Sequence, residues 1–198
     1  MGIWDTLSES LEVQAFRDVV AKLRPDDLDG YEARTGLKLP ESYREFVLRF
    51  GPGELASTFQ IAAPGYARYD VKVDLDRLTP WFRRVSGLDT RSDAELANTY
   101  DDPARARRVV LFCTTFGGDY YGWDPQDVND PAAPEYAVYI LARHDTRVRK
   151  VADSFRAFIE DYCLGDGYPR EIGEDGWNED DLGPRMVYAP QADIPADA

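Results

Sequence analysis

Residues 111–125 read LFCTTFGGDYYGWDP. A short apolar run meets two glycines, then an aspartate, two tyrosines, a third glycine, a tryptophan and a second aspartate. This is either a ligand-cradling loop carrying two catalytic carboxylates, Asp119 and Asp124, or a hairpin that builds a sheet. The hairpin accounts for more of the residues. Gly117 and Gly118 allow the positive φ of a tight turn, and Asp119 is a good acceptor for turn amides. Alternation then puts Tyr121 and Trp123 on one strand face, with Tyr120 and Gly122 on the other. Asp124-Pro125 is expected to close the strand. Strands are therefore expected over Val109–Thr115 and Asp119–Trp123, joined by Phe116-Gly117-Gly118.

Helices precede the hairpin. Thr6-x-x-Glu9 has the pattern of a capping box. Leu7, Leu11, Phe16, Val19, Val20 and Leu23 continue it at helical spacing, predicting one helix over 6–23 that Pro25 ends. A second helix is expected over Asp26–Thr35, with Gly36 just past its end. Pro40 suits the first turn of a third, whose Tyr43, Phe46, Val47 and Phe50 share one face. Gly51-Pro52-Gly53 stops it. Thr58–Ala62 reads as a strand, and Ala67–Val73 is a further candidate. Leu75, Leu78, Phe82 and Val85 repeat helically, although Pro80 should kink or restart that helix. Residues 87–107 are polar and read as an insert or long connection, with a weak capping box at Ser92 and Glu95.

After the hairpin, Tyr136–Ala142 reads as a strand. A closing helix runs from an N-cap at Asp153 or Ser154 to Cys163, with Phe155, Phe158, Ile159 and Tyr162 on one face. The segment after residue 165 has nine acids against two arginines, a net −7, and four prolines. It reads as an acidic tail or extended strap over 166–198, anchored by Trp177, Met186, Val187 and Tyr188. Residues 1–165 then form one domain. Hairpin connections outnumber βαβ spacings, so the fold class is α+β: a mostly antiparallel sheet covered by N-terminal helices and a closing C-terminal helix.

Composition narrows the function. The chain has 198 residues and a formal net charge of −14. Such a surface repels phosphate backbones, which argues against nucleic acid and suits a basic partner. No apolar run reaches the roughly 20 residues of a membrane span. No basic and apolar leader opens the chain, so a cytoplasmic protein is expected. The single histidine, His144, sits in a polar turn and is a poor base for a Ser/His/Asp triad. Cys113 and Cys163 lack metal or redox spacing and read as reduced, packed thiols. The acids after Asp124 do not fit the calcium-loop pattern. No catalytic residue, metal or cofactor is therefore assigned.

Three landmarks now stand in order. The first is LDGYEARTGLKLPESYREFVLRFGPGEL (28–55), with Glu32, Gly36, Leu39, Pro40, Tyr43, Phe46 and the glycine turn 51–53. The second is Gly118-Asp119 before a strand that ends in Asp124. The third is VADSFRAFIEDYC (151–163), with Ser154, Phe155 and Phe158. Together they resemble the SUKH superfamily, whose fungal members are cell-wall-assembly regulators of the SMI/KNR type. The family often has Asn-Gly-Gly where this chain has Gly51-Pro52-Gly53. The resemblance implies an α+β fold and landmark residues that are mainly structural. For bacterial members it implies an immunity protein that binds and neutralises a cognate toxin, often a nuclease or deaminase. The alternative it implies is a regulatory scaffold of the fungal kind. If the partner is a basic toxin domain, the candidate contacts are Asp101 and Asp102 in the polar insert, and Glu174, Asp175, Glu179, Asp180 and Asp181 near the C-terminus.

Overall fold

The computed structural model describes residues 2–14, 22–66, 70–129, 134–143, 147–174 and 183–191. Its backbone is organised by one eight-stranded sheet. The strands are β1 (Glu12–Val13), β2 (Gly53–Leu55), β3 (Phe59–Ile61), β4 (Val110–Thr115), β5 (Tyr120–Val128), β6 (Tyr136–Leu141), β7 (Val148–Ala152) and β8 (Val187–Pro190). They lie in the order β1-β8-β2-β3-β4-β5-β6-β7. Every neighbouring pair is antiparallel except β1 with β8. With the flanking helices this is the expected α+β architecture.

The helices are α1 (Asp5–Ser10), α2 (Pro25–Thr35), α3 (Glu41–Phe50), α4 (Leu75–Ser86), α5 (Asp93–Leu96), α6 (Pro103–Arg108), α7 (Phe155–Ala157) and α8 (Gly167–Glu174). α7 continues as a π-helical turn over Phe158–Cys163. The apolar stripe of α3 explains one face of the sheet. Tyr43 meets Trp123 edge-on at 4.9 Å and Phe155 at 5.2 Å, while Phe112 stacks on Trp123 at 4.4 Å. These rings are all buried. The two predicted helix faces, with Tyr43, Phe46 and Phe50 on one and Phe155, Phe158 and Ile159 on the other, share one core. α4 covers the opposite face: the Thr79 hydroxyl accepts the Leu111 amide at 2.8 Å, and Phe82 packs on Tyr120 at 4.4 Å.

Several elements depart from the sequence expectations. The helix over 6–23 stops at Ser10, because Leu11 turns extended and the next residues join β8. The Glu12 amide donates to the Met186 carbonyl and the Gln14 amide to the Tyr188 carbonyl. Sheet pairing thus wins over a helical hydrophobic period. The rest of that stretch, with Phe16, Val19 and Val20, lies outside the described residues. The Thr6/Glu9 capping box is replaced by a helix that begins at Asp5, whose carboxylate accepts the Gly2 amide at 2.6 Å. Pro25 starts α2 rather than merely ending the previous helix. Of the strand considered over 67–73, the described part, Val71–Val73, is a 3-10 turn. Pro80 neither breaks nor restarts α4, and Val85 on that helix is exposed. β5 runs through Asp124-Pro125 to Val128, with a register shift after Trp123. β2 and β7 are strands for which the sequence reading had no signal.

The segment read as a tail or strap places Val187–Pro190 in the sheet as β8, between β1 and β2. Val187 and Tyr188 are buried, but Met186 is 40 % exposed and is no anchor. Trp177 lies outside the described residues. The approach of β8 to β2 is close. A Cβ built on Gly53 falls 2.4 Å from the Ala189 carbonyl oxygen, so the position requires glycine.

Candidate functional site

The turn chemistry expected at the hairpin fixes its geometry. Gly118 takes φ +95° and donates to the Thr115 carbonyl at 3.1 Å. The Asp119 amide donates to the Thr115 hydroxyl at 3.1 Å, and the Asp119 carboxylate accepts the Arg143 amide at 2.9 Å. Asp119 therefore links the β4–β5 turn to the end of β6. Asp124 has a separate environment and is 1 % exposed. It accepts from Arg105 at 3.1 Å, from Arg108 at 2.9 Å and from the Gln126 amide at 3.0 Å. Burial alone raises its carboxyl. The hydrogen bonds from Arg108, the Gln126 amide and Arg105 outweigh burial and hold it below the usual aspartate range. The two carboxylates are held by different partners for different structural ends, and no acid–base pair is assembled from them.

The other landmark residues are also absorbed by structure. Glu32 accepts the Leu39 amide at 2.9 Å and pairs with Arg44 and Lys38, pinning the α2–α3 connection. Gly36 closes α2 in the left-handed conformation, and Pro40 caps α3. The Tyr43 hydroxyl donates to the Ala62 carbonyl at 2.7 Å. Ser154 caps α7 by accepting the Ala157 amide at 3.0 Å. Leu39, Phe46, Phe155 and Phe158 are core.

Of the proposed partner contacts, Asp101 accepts the Val148 amide at 2.8 Å and Asp102 caps α6 through the Arg105 amide at 2.9 Å. Both lie in the polar insert, which contains α5 and α6; the Ser92/Glu95 capping box forms as expected. Glu174 ends α8. Asp175, Glu179, Asp180, Asp181 and His144 lie outside the described residues. Cys113 and Cys163 are buried free thiols, and burial pushes both well above the usual thiol range. A thiol so placed is a poor nucleophile. Among the described residues no group of three or more His, Cys, Asp or Glu is placed to hold a metal. No helix among them is long and apolar enough to cross a membrane.

A groove of ≈ 630 Å³ lies between the β4–β5 hairpin, α4, the α5–α6 segment and the end of β6. Phe82, Tyr100, Tyr120 and Phe116 supply its aromatic lining, and Lys72 and Arg143 its charges. Burial raises the Tyr100 and Tyr120 phenols, so both stay protonated and able to donate. Phe116, at the turn, is 64 % exposed. Sequence reasoning missed this groove because its residues come from five separate stretches. The one legible signal was a phenylalanine where a hairpin tip is normally polar. A smaller depression of ≈ 390 Å³ beside α2 and α4 includes Tyr31, Asp76 and Arg83 in its lining. There Asp76 is already paired with Arg34 at 2.7 Å.

Comparison with known proteins yields one match. The family model described as "SMI1 / KNR4 family (SUKH-1)" covers residues 22–161. That span takes in the three landmarks on which the resemblance rests, short of the last residues of the closing helix. No curated protein and no solved structure matches the chain.

Proposed function

The chain belongs to the SMI1/KNR4 family (SUKH-1), a generally non-enzymatic family, and on that premise we propose that it is a protein-binding module that neutralises a toxin. The toxin is a basic domain, a nuclease or deaminase delivered between competing bacteria, and the protein meets it in the cytoplasm. It acts by occupying the toxin, without chemistry of its own.

The observation that carries this reading is the charge of −14 on 198 residues. A domain that attacks a polynucleotide must attract phosphate and therefore presents a basic surface. An acidic protein competes for that surface, and its field speeds the encounter. The candidate contacts remain Asp101, Asp102, Glu174, Asp175, Glu179, Asp180 and Asp181. The bond of Asp101 to the Val148 amide and the capping role of Asp102 fix those two carboxylates in place, which lowers the ordering cost of using them in an interface.

The test is co-purification with the product of the neighbouring toxin gene, followed by association rates across a salt series. Exposed charges are screened beyond about 8 Å at physiological ionic strength. Association is expected to slow markedly as salt rises, with dissociation changing less. Replacing Glu174, Asp175, Glu179, Asp180 and Asp181 with their amides should lower the rate at low salt. A flat salt dependence removes electrostatic steering. A chain that captures a signalling protein and no toxin is instead a regulatory scaffold.

A further inference from the structure

The groove beside the hairpin has the wrong sign for a surface that only meets basic groups. Among the described residues its charged lining consists of Lys72 and Arg143, with no carboxylate. This is unusual within this chain, where arginines are commonly engaged by acids. Arg44 holds Asp29 and Glu32, Arg105 and Arg108 hold Asp124, and Arg149 holds Glu171. Among the described residues neither Lys72 nor Arg143 has a carboxylate within ion-pair distance of its charged group. The Arg143 guanidinium donates to the Gly117 carbonyl at 3.3 Å. Its methylenes lie across the Gly118 turn, where a Cβ on Gly118 would sit 2.9 Å from Cδ. The cation is thus positioned by the turn rather than by a counter-ion.

Between the two cations lies an aromatic surface. Tyr120 packs against Phe82 at 4.4 Å and Trp81 at 6.3 Å, which fixes the floor. Phe116 stands out from the tip. A lone exposed apolar side chain needs no explanation, but one continuous with an aromatic groove has the composition of a binding hot spot. The volume is that of a site for a few side chains.

We propose that this groove captures a segment of the partner protein in which aromatic or aliphatic side chains alternate with carboxylates. The apolar side chains lie on Phe82, Tyr100, Tyr120 and Phe116, and the carboxylates meet Lys72 and Arg143. This rests on the toxin-binding reading and deepens it. The acidic remainder of the surface attracts a basic partner from a distance, whereas the groove accepts only a local acidic segment of it. Contacts of both signs fix one docking register and reject partners that are merely basic. A protein segment fits better than a polyphosphate, because the charged lining is two cations while the aromatic area is large.

The test uses the full chain and a short synthetic peptide alternating phenylalanine and aspartate. Control peptides carry asparagine or lysine in place of aspartate, and ATP serves as a small-anion control. Binding is followed by fluorescence anisotropy. The aspartate peptide is expected to bind saturably, and the asparagine and lysine peptides about tenfold or more weakly. The Lys72→Glu, Arg143→Glu double variant should lose the aspartate peptide by a similar factor and gain the lysine peptide. Phe116→Ala should weaken the aspartate and asparagine peptides alike. Thermal unfolding verifies that each variant is folded. Failure of the aspartate peptide to bind, equal binding of all three, indifference to the double reversal, or binding of ATP in place of the peptide would each overturn the proposal. The peptide assay contains no toxin. Its failure leaves neutralisation standing, and failure of neutralisation leaves a peptide result intact.

Discussion

Phe158 connects the closing helix to the sheet. Its ring lies 5.1 Å from Tyr121, 5.4 Å from Phe112 and 5.9 Å from Phe59, and it is fully buried. Phe158→Ala should cost about 3–5 kcal/mol of stability, because the surrounding rings cannot collapse into the cavity; chemical denaturation measures it, and an unchanged midpoint would refute this packing. Asp124 makes a prediction about pH. Its folded carboxyl is held below the unfolded value of about 3.9. The stability it contributes is therefore present above that value and is lost as pH falls through the folded value. Asp124→Asn should be less stable than the parent at neutral pH by about 1.5–3 kcal/mol, and the gap should close below about pH 4. A gap that stays constant into acid would mean that Arg105 and Arg108 do not need the charge. Both residues were singled out in the sequence, Phe158 from its helical face and Asp124 as the end of a landmark strand. The arginines that hold Asp124 were not, since they sit on α6, Arg105 within what read as a polar insert and Arg108 just past its end.

The elements that the sequence made legible are those whose local chemistry and tertiary role agree. α3 has a clean apolar face, and the β4–β5 hairpin has a glycine turn with an acceptor beside it. The elements missed are those built by distant pairing. β2 turns into β3 through Ala56 and Ser57, both at φ 53°, where neither glycine nor asparagine advertises the turn. β1 and β8 are short strands 175 positions apart by their registered pairs, Glu12 with Val187 and Val13 with Tyr188. Neither has the length to show a period of its own. The acid-rich, proline-broken character of the C-terminal segment hid β8. α8 is tied back as well, with Glu171 accepting from the Tyr162 hydroxyl at 2.7 Å and pairing with Arg149. A chain ending at Gly165 should accordingly lose the partner of both β1 and β2, along with buried Tyr188. It should unfold at markedly lower denaturant than the full chain. A truncated chain of equal stability would show that β8 is dispensable.

On the scale of the molecule, the fold is a sheet with helices on both faces and a surface of two signs. The acids dominate at long range, and among the described residues the lining of the hairpin groove holds cations and aromatic rings and no carboxylate. The SMI1/KNR4 (SUKH-1) membership sets the class of protein. The central claim is neutralisation by occupancy, and inhibition stoichiometry tests it most directly. The activity of a toxin encoded beside this chain is titrated with the purified protein at low salt. The account predicts that activity falls in proportion to the protein added and is abolished near equimolar amounts. Activity that survives a large excess would contradict binding, and activity abolished by trace amounts with turnover would make the protein an enzyme.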